Sequence, residues 1–187
     1  VTTSDDFLAS VVVDTREQRP LWDDPEVQRR RLRTGDYSLE GYEDRMAIER
    51  KSVADLFGSL GKGRERFLRE VRRLHGMPVS GIVVEGNLAR INSFDGSKGY
   101  RGRMVPSQII GAIISWFLVN YSVPIMLCDT RRLTEGVVLS WLRIGKTRLD
   151  GEGRQTTHDI CPVCGGGGPV VHSPMCRVST KHVGGHP

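Results

Sequence analysis

Aromatic residues make up only 6% of this 187-residue chain. Trp22, Trp116 and Trp141 are not spaced as a base-stacking platform, so recognition of nucleobases by stacking is not expected. Trp116 and Trp141 read instead as core or dimer-contact residues. No apolar run approaches the roughly 18 residues of a membrane-spanning helix, and no charged segment followed by an apolar one opens the chain. Neither a membrane span nor a secretory leader is therefore expected. The reading is an intracellular protein, placed in the cytoplasm or nucleoid of a prokaryotic or phage system or in a eukaryotic nucleus. Cysteine is scarce except at one end: Cys128 stands alone in an apolar stretch and reads as a buried free thiol, while Cys161, Cys164 and Cys176 crowd the C-terminal tail. No internal repeat is present.

Basic charge is what the chain has. Its formal net charge is +5 and its pI is about 9.3, with 38% hydrophobic and 26% charged residues, a composition that allows one ordinary domain and a small appendage. The excess is clustered. Arg29, Arg30, Arg31 and Arg33 form one group, Lys62, Arg64, Arg66, Arg69, Arg72 and Arg73 a second, and Lys98, Arg101 and Arg103 a third. Any one of these reads equally well as a solvated face; three of them around one acidic site point to phosphate and hence nucleic acid.

That acidic site is read from a hairpin. Tyr37 to Glu40 and Arg45 to Arg50 alternate apolar and polar residues around a turn-like Gly41-Tyr42-Glu43-Asp44. A turn centred between Tyr42 and Glu43 pairs Leu39 with Met46, Tyr37 with Ile48 and Asp36 with Glu49. One face is then apolar and the other carries Asp36, Ser38, Ala47, Glu49 and Lys51, because a one-residue slip would spoil both faces. Like charges directly opposed in a sheet repel unless something lies between them, and a hard divalent cation such as Mg²⁺ or Mn²⁺ would resolve the conflict.

The elements around the hairpin alternate strand and helix. Ser10 to Asp14 reads as a buried strand delivering Asp14 at its carboxyl end. Ser52 opens a helix with Val53, Leu56, Phe57 and Leu60 on one stripe, and a second amphipathic helix follows from Arg64 to His75. Gly81 to Glu85 is a further strand, Asn87 to Met104 a long loop, Gln108 to Tyr121 an unusually apolar helix capped by Ser107, and Val123 to Cys128 a strand. A last helix starts at Thr130 or Thr134 and ends near Ile144. The expected fold is α/β, a restriction-endonuclease-like mixed sheet flanked by helices, with a small Cys/His C-terminal tail. The expected divisions are a nuclease-type domain over 1–145, a linker over 146–160 and a zinc-binding tail over 161–187.

Asp14, Glu17, Asp36 and Glu49 with Lys51 read as a metal-assisted hydrolysis site, the acids holding one or two divalent ions and Lys51 orienting water or neutralising charge on a phosphate. Arg16 and Arg50 are candidates for phosphate contacts, although strand parity sends Arg50 to the face opposite Lys51. Glu17 reads either as a metal or water-shell acid or as a group orienting Arg16 or Arg19. Asp55 sits at capping-box spacing from Ser52, which favours a helix-capping role. Glu85 either joins the site or holds the chain before Gly86.

Val12-Val13-Asp14-Thr15-Arg16-Glu17, Gly35-Asp36, Glu49-Arg50-Lys51, Asp55, Gly63-Arg64 and Ile82-Val83-Val84-Glu85-Gly86 resemble the nuclease domain of the XPF family of structure-specific endonucleases, within the PD-(D/E)XK superfamily. The resemblance extends by element order over roughly residues 10 to 145. It implies a phosphodiesterase cutting DNA at branched or single/double-strand junctions with Mg²⁺ or Mn²⁺. By it, Asp36 and Glu49 are metal-binding acids, Asp14 is another essential acid and Lys51 is the catalytic lysine; by their charge, Arg16, Arg50, Lys62, Arg64, Arg66, Lys98, Arg101 and Arg103 are the expected DNA contacts. It also implies a homodimer or heterodimer formed through the nuclease domain. Two features depart from the family pattern: there is no room after Ile144 for a tandem helix-hairpin-helix domain, and no Gln follows Gly63-Arg64. Two other functions fit the same residues, a catalytically silent DNA-binding or scaffold subunit and a sequence-specific restriction-like nuclease.

Cys161, Cys164, His172 and Cys176 follow C-x2-C-x7-H-x3-C spacing, and three thiolates with one imidazole satisfy the tetrahedral demand of structural Zn²⁺. His158, His182 or His186 could stand in for His172. Disulfide pairing and a metal-free tail are the other readings.

Overall fold

The computed structural model describes residues 7–95 and 104–152. A mixed six-stranded sheet runs in the order β2-β1-β3-β4-β5-β6. Its strands are β1 (Val11–Asp14), β2 (Gln28–Arg30), β3 (Tyr37–Leu39), β4 (Met46–Ser52), β5 (Val79–Glu85) and β6 (Ile125–Cys128). β3 lies antiparallel to both β1 and β4, whereas β1 with β2, β4 with β5 and β5 with β6 are parallel. The carboxyl ends of β1, β4 and β5 therefore reach the same edge of the sheet as the start of β3. Ligand sites of such sheets form at strand carboxyl ends, and Asp14, Asp36, Glu49, Lys51 and Glu85 all sit along this edge.

The expected hairpin register holds, with Tyr37 opposite Ile48. Both faces are withdrawn from solvent: Met46, Ala47, Ile48 and Glu49 are all buried, as are Tyr37, Ser38 and Leu39. Both faces are covered because parallel neighbours bring helices to each side. On one side Ala47, Ile82 and Val84 pack with residues from α1 (Val53–Leu60), α2 (Arg64–His75) and α4 (Pro106–Ala112). Ser52 caps α1 by accepting from the Asp55 N–H at 3.1 Å, which confirms the capping role of that pair. The other side meets α5 (Arg131–Gly151), where Trp141 lies on Gly81 and Gly145 fits against Val79 and Met46.

Several elements differ from the sequence reading. β2 falls in the first arginine cluster, where Arg30 pairs with Glu40 at 3.0 Å and Glu43 at 3.3 Å. A short helix α3 (Leu88–Asn92), capped by Asn87, lies within the stretch read as loop. Val105, not Ser107, precedes the first turn of α4, where the Val105 N–H donates to Gln108 Oε1 at 3.1 Å. α4 then passes into a π-helical segment, Ile113–Asn120. Ile113, Trp116 and Phe117 are buried, while Ile114, Leu118 and Val119 of the same apolar run are exposed. α5 continues past Ile144 to Gly151, into the segment read as linker. Among the described residues no helix is long and apolar enough to cross a membrane.

A β-carbon at Gly81 would lie 2.1 Å from Cη2 of Trp141. Gly81→Ala is therefore expected to lower stability by about 1–3 kcal/mol, read from urea unfolding, and to cost much less when introduced into a Trp141→Ala background. An unchanged midpoint for the single variant would disprove this packing.

Candidate active site

Asp36 is placed by a break in the sheet ladder. Gly35 has φ +73°, and a β-carbon there would approach the Ala47 Cβ to 3.0 Å and the Ile48 carbonyl oxygen to 3.1 Å, so both conformation and space require glycine. The Asp36 N–H donates to the Ile48 carbonyl at 2.9 Å, and the Arg50 N–H donates to Asp36 Oδ2 at 2.8 Å. A side-chain oxygen thus replaces a ladder acceptor, which fixes the carboxylate against β4.

Glu49 is 7% exposed and ion-paired to the Lys51 ammonium. Burial pushes the Asp36 carboxyl well above its ordinary pKa, and the neighbouring Glu49 charge pushes it further. Burial likewise raises Glu49, with Lys51 offsetting part of the effect and Glu70 adding to it. Lys51 is lowered by burial, but Glu49 and Asp36 more than reverse this and hold it above its usual value, so the amine stays protonated. Its ammonium also lies 5.1 Å from the Phe67 ring centroid. The structure thus brings Asp36, Glu49 and Lys51 together as the hairpin reading expects.

Asp14 is occupied differently. Its carboxylate accepts from the Arg16 N–H at 2.7 Å, from Arg16 Nε at 2.8 Å and Nη2 at 2.9 Å, and from the Leu32 N–H at 2.6 Å. Burial alone would raise this acid, but Arg16 and the two backbone donors hold it below the usual range. Arg16 itself remains 60% exposed. Asp14 is therefore an anchor for Arg16 and for the Leu32 backbone; among the described residues, no three His, Cys, Asp or Glu side chains gather as a metal-holding group.

Glu17 and Arg50 form a separate network on the opposite face. Arg50, 8% exposed, pairs with Glu17 at 3.3 Å and with Glu85 at 2.7 Å; Arg131 approaches Glu85 at 3.8 Å. Glu17 also accepts from the Arg19 N–H at 2.7 Å, the local role weighed for it. Arg50 is consequently withdrawn from solvent, and a phosphate contact would cost it both carboxylates. Lys62, Arg64 and Arg66 are exposed, Arg64 with its guanidinium 4.7 Å from the Trp116 ring centroid. Lys98, Arg101, Arg103, Cys161, Cys164, His172 and Cys176 lie outside the described residues.

One residue of the site escaped the sequence reading. Glu70 on α2 accepts from the Gly35 N–H at 3.0 Å, directly before Asp36. An acid among arginines at helical spacing looks like a solvated surface partner, and only the fold turns it toward the hairpin.

A half-buried Asp36 and a buried Glu49, whose mutual repulsion one ammonium only partly offsets, are hard oxygen donors at the carboxyl end of the sheet and fit a divalent cation. Two protein carboxylates suffice for Mg²⁺ when water and substrate phosphate complete the shell. The whole is an α/β domain with an acidic, lysine-bearing site of nuclease type. A model of the ERCC4 domain matches residues 13–140, and the chain belongs to that family, the XPF-type nuclease domains. It is similar to XPF from Aeropyrum pernix at 24% identity and TM-score 0.54, over 77% of this chain and 68% of that one. It is similar also to XPF from Aeropyrum pernix in complex with DNA, at 26% identity and TM-score 0.52, over 74% and 65% of the two chains. The chain thus spans about two thirds of these solved relatives. Among curated proteins, none matches it.

Because Asp36 holds its proton more tightly when folded than when unfolded, it makes stability fall as pH rises from the ordinary carboxylate range through its raised pKa. Asp36→Asn should therefore be more stable than wild type at neutral pH in EDTA, with the gain shrinking as pH falls toward that range. Chemical unfolding across pH checks this; a destabilised Asp36→Asn at neutral pH would contradict the electrostatics described.

Proposed function

We propose that the chain is a divalent-metal-dependent endodeoxyribonuclease that hydrolyses phosphodiester bonds at branched or single/double-strand junction DNA. The observation that carries this reading is the pairing of half-buried Asp36 with buried Glu49, with a protonated Lys51 beside them. Asp36 and Glu49 hold the cation, and Mg²⁺ or Mn²⁺ bound there supplies polarisation of a phosphate oxygen and a lowered pKa of water. Lys51, being protonated, is not a general base; it offsets negative charge that grows on the phosphate. Asp14 fixes Arg16 so that an exposed guanidinium stands near the acids for a phosphate oxygen. Glu17 acts through Arg50 by securing the end of β4. Exposed Lys62, Arg64 and Arg66, with Lys98, Arg101 and Arg103, supply sequence-independent contacts to the DNA backbone.

The junction preference rests on family membership, and DNA as the substrate class accords with the solved DNA complex of Aeropyrum pernix XPF. The same kinship, with Ile114, Leu118 and Val119 exposed on the π-helical segment, supports a homodimer or heterodimer through this domain. Cys161, Cys164, His172 and Cys176 are proposed to hold a structural Zn²⁺ that adds DNA contacts beside Arg154, Arg177 and Lys181. An intracellular location accords with this chemistry.

The test is a cleavage panel of fork, flap, bubble, single-stranded and plain duplex DNA with Mg²⁺, Mn²⁺ or EDTA. Cutting near junctions is expected, absent in EDTA and reduced by about 10²-fold or more in Asp36→Asn and Lys51→Ala. Unchanged cutting in either variant would refute the site. Binding without cutting would indicate a scaffold subunit, and cutting of plain duplex at a defined sequence a restriction-like enzyme. One zinc per chain, lost in Cys161→Ser, and a dimeric mass in sedimentation are expected of the same preparation; neither idea survives a zinc-free monomer.

A further inference from the structure

Helix α2 is mostly a basic surface, with Arg64, Arg66, Arg69 and Arg72 exposed. Glu70 turns the other way and is 21% exposed. Its Oε1 accepts from the Gly35 N–H at 3.0 Å, and its Oε2 is paired with the Arg73 guanidinium three residues on. Arg73 Nε in turn donates to Thr34 Oγ1 at 2.9 Å. Glu70 and Arg73 therefore grip Thr34 and Gly35, the two residues that precede Asp36. The grip falls where the chain leaves the regular ladder through a positive φ, so its backbone needs an acceptor from outside the sheet. Glu70 is also near enough to raise both the Glu49 carboxyl and the Arg16 guanidinium.

We propose that Glu70 is a positioning residue of the candidate site: clamped by Arg73, it fixes the Gly35 amide and so the point from which Asp36 faces Glu49. As a role in catalysis this rests on the nuclease reading above. The hydrogen-bond and ion-pair partners of Glu70 are the Gly35 amide and Arg73. The residue therefore acts through the geometry of Asp36. A glutamine retains the accepting oxygen, an aspartate retains the charge but withdraws the oxygen by one methylene, and an alanine removes both.

Two readouts test the proposal on the whole chain. Gly35 amide exchange by NMR should match wild type in Glu70→Gln and be about tenfold or more faster in Glu70→Ala and Glu70→Asp. Mg²⁺-dependent cleavage of a fork or flap should stay within about threefold of wild type in Glu70→Gln and fall by about 10- to 100-fold in the other two. Unchanged Gly35 exchange in Glu70→Ala, or equal losses in Glu70→Gln and Glu70→Ala, would overturn it. A wild-type chain that cuts nothing but shows the exchange pattern would refute the nuclease reading alone and support the grip of Glu70 on this segment.

Discussion

Repulsion between two carboxylates at the open edge of a covered sheet organises the rest of this structure. Asp36 and Glu49 cannot both be ionised there without compensation, since burial and mutual charge raise both. The fold nevertheless holds them in place. Gly35 takes a conformation only glycine adopts easily, the Arg50 amide seizes one Asp36 oxygen, and Lys51 pairs with Glu49. A hydrophobic pair at these positions would fold at lower electrostatic cost, so the retained conflict marks a place built to receive positive charge.

The two faces of β4 divide the labour. Glu49 and Lys51 point toward α1 and α2, where the cation and phosphate are proposed to sit. Arg50 points to the other face, where Glu17, Glu85 and Arg131 tie the segment after β1 to the ends of β4 and β5 and to α5. Consecutive residues with opposite duties follow directly from the two-residue period of a strand. Asp14 shows the same economy: a buried acid whose oxygens are all taken by Arg16 and the Leu32 amide serves by holding a cation at the surface.

Much of this was legible in the sequence because local pattern and tertiary demand agree. Alternation gave the Tyr37–Ile48 register, Ser52 and Asp55 gave the start of α1, and the bounds of α2 matched Arg64–His75. Failures came where they part. β2 is charged rather than alternating because an edge strand pairs on one side only and its charges discourage further pairing. The helix over Gln108 to Tyr121 is apolar around much of its circumference, and pattern alone does not say which side the core takes: Ile109, Ile113 and Phe117 are buried while Ile114 and Leu118 are exposed. Gly145, just past the expected helix end near Ile144, lies within α5 as a close-approach site against Val79 and Met46. The hold of Asp14 on the Leu32 amide and the inward turn of Glu70 are contacts between distant segments, for which no spacing rule exists.

The central claim, that Asp36 and Glu49 form a divalent-cation site, is tested most directly by unfolding the chain at rising Mn²⁺ concentration without DNA. A cation bound only to the folded state adds about 2.7 kcal/mol of stability at a hundredfold its dissociation constant. The account predicts that the wild-type midpoint climbs with the logarithm of Mn²⁺ concentration while Asp36→Asn stays flat. A wild-type midpoint indifferent to Mn²⁺, or an equal climb in Asp36→Asn, would contradict it.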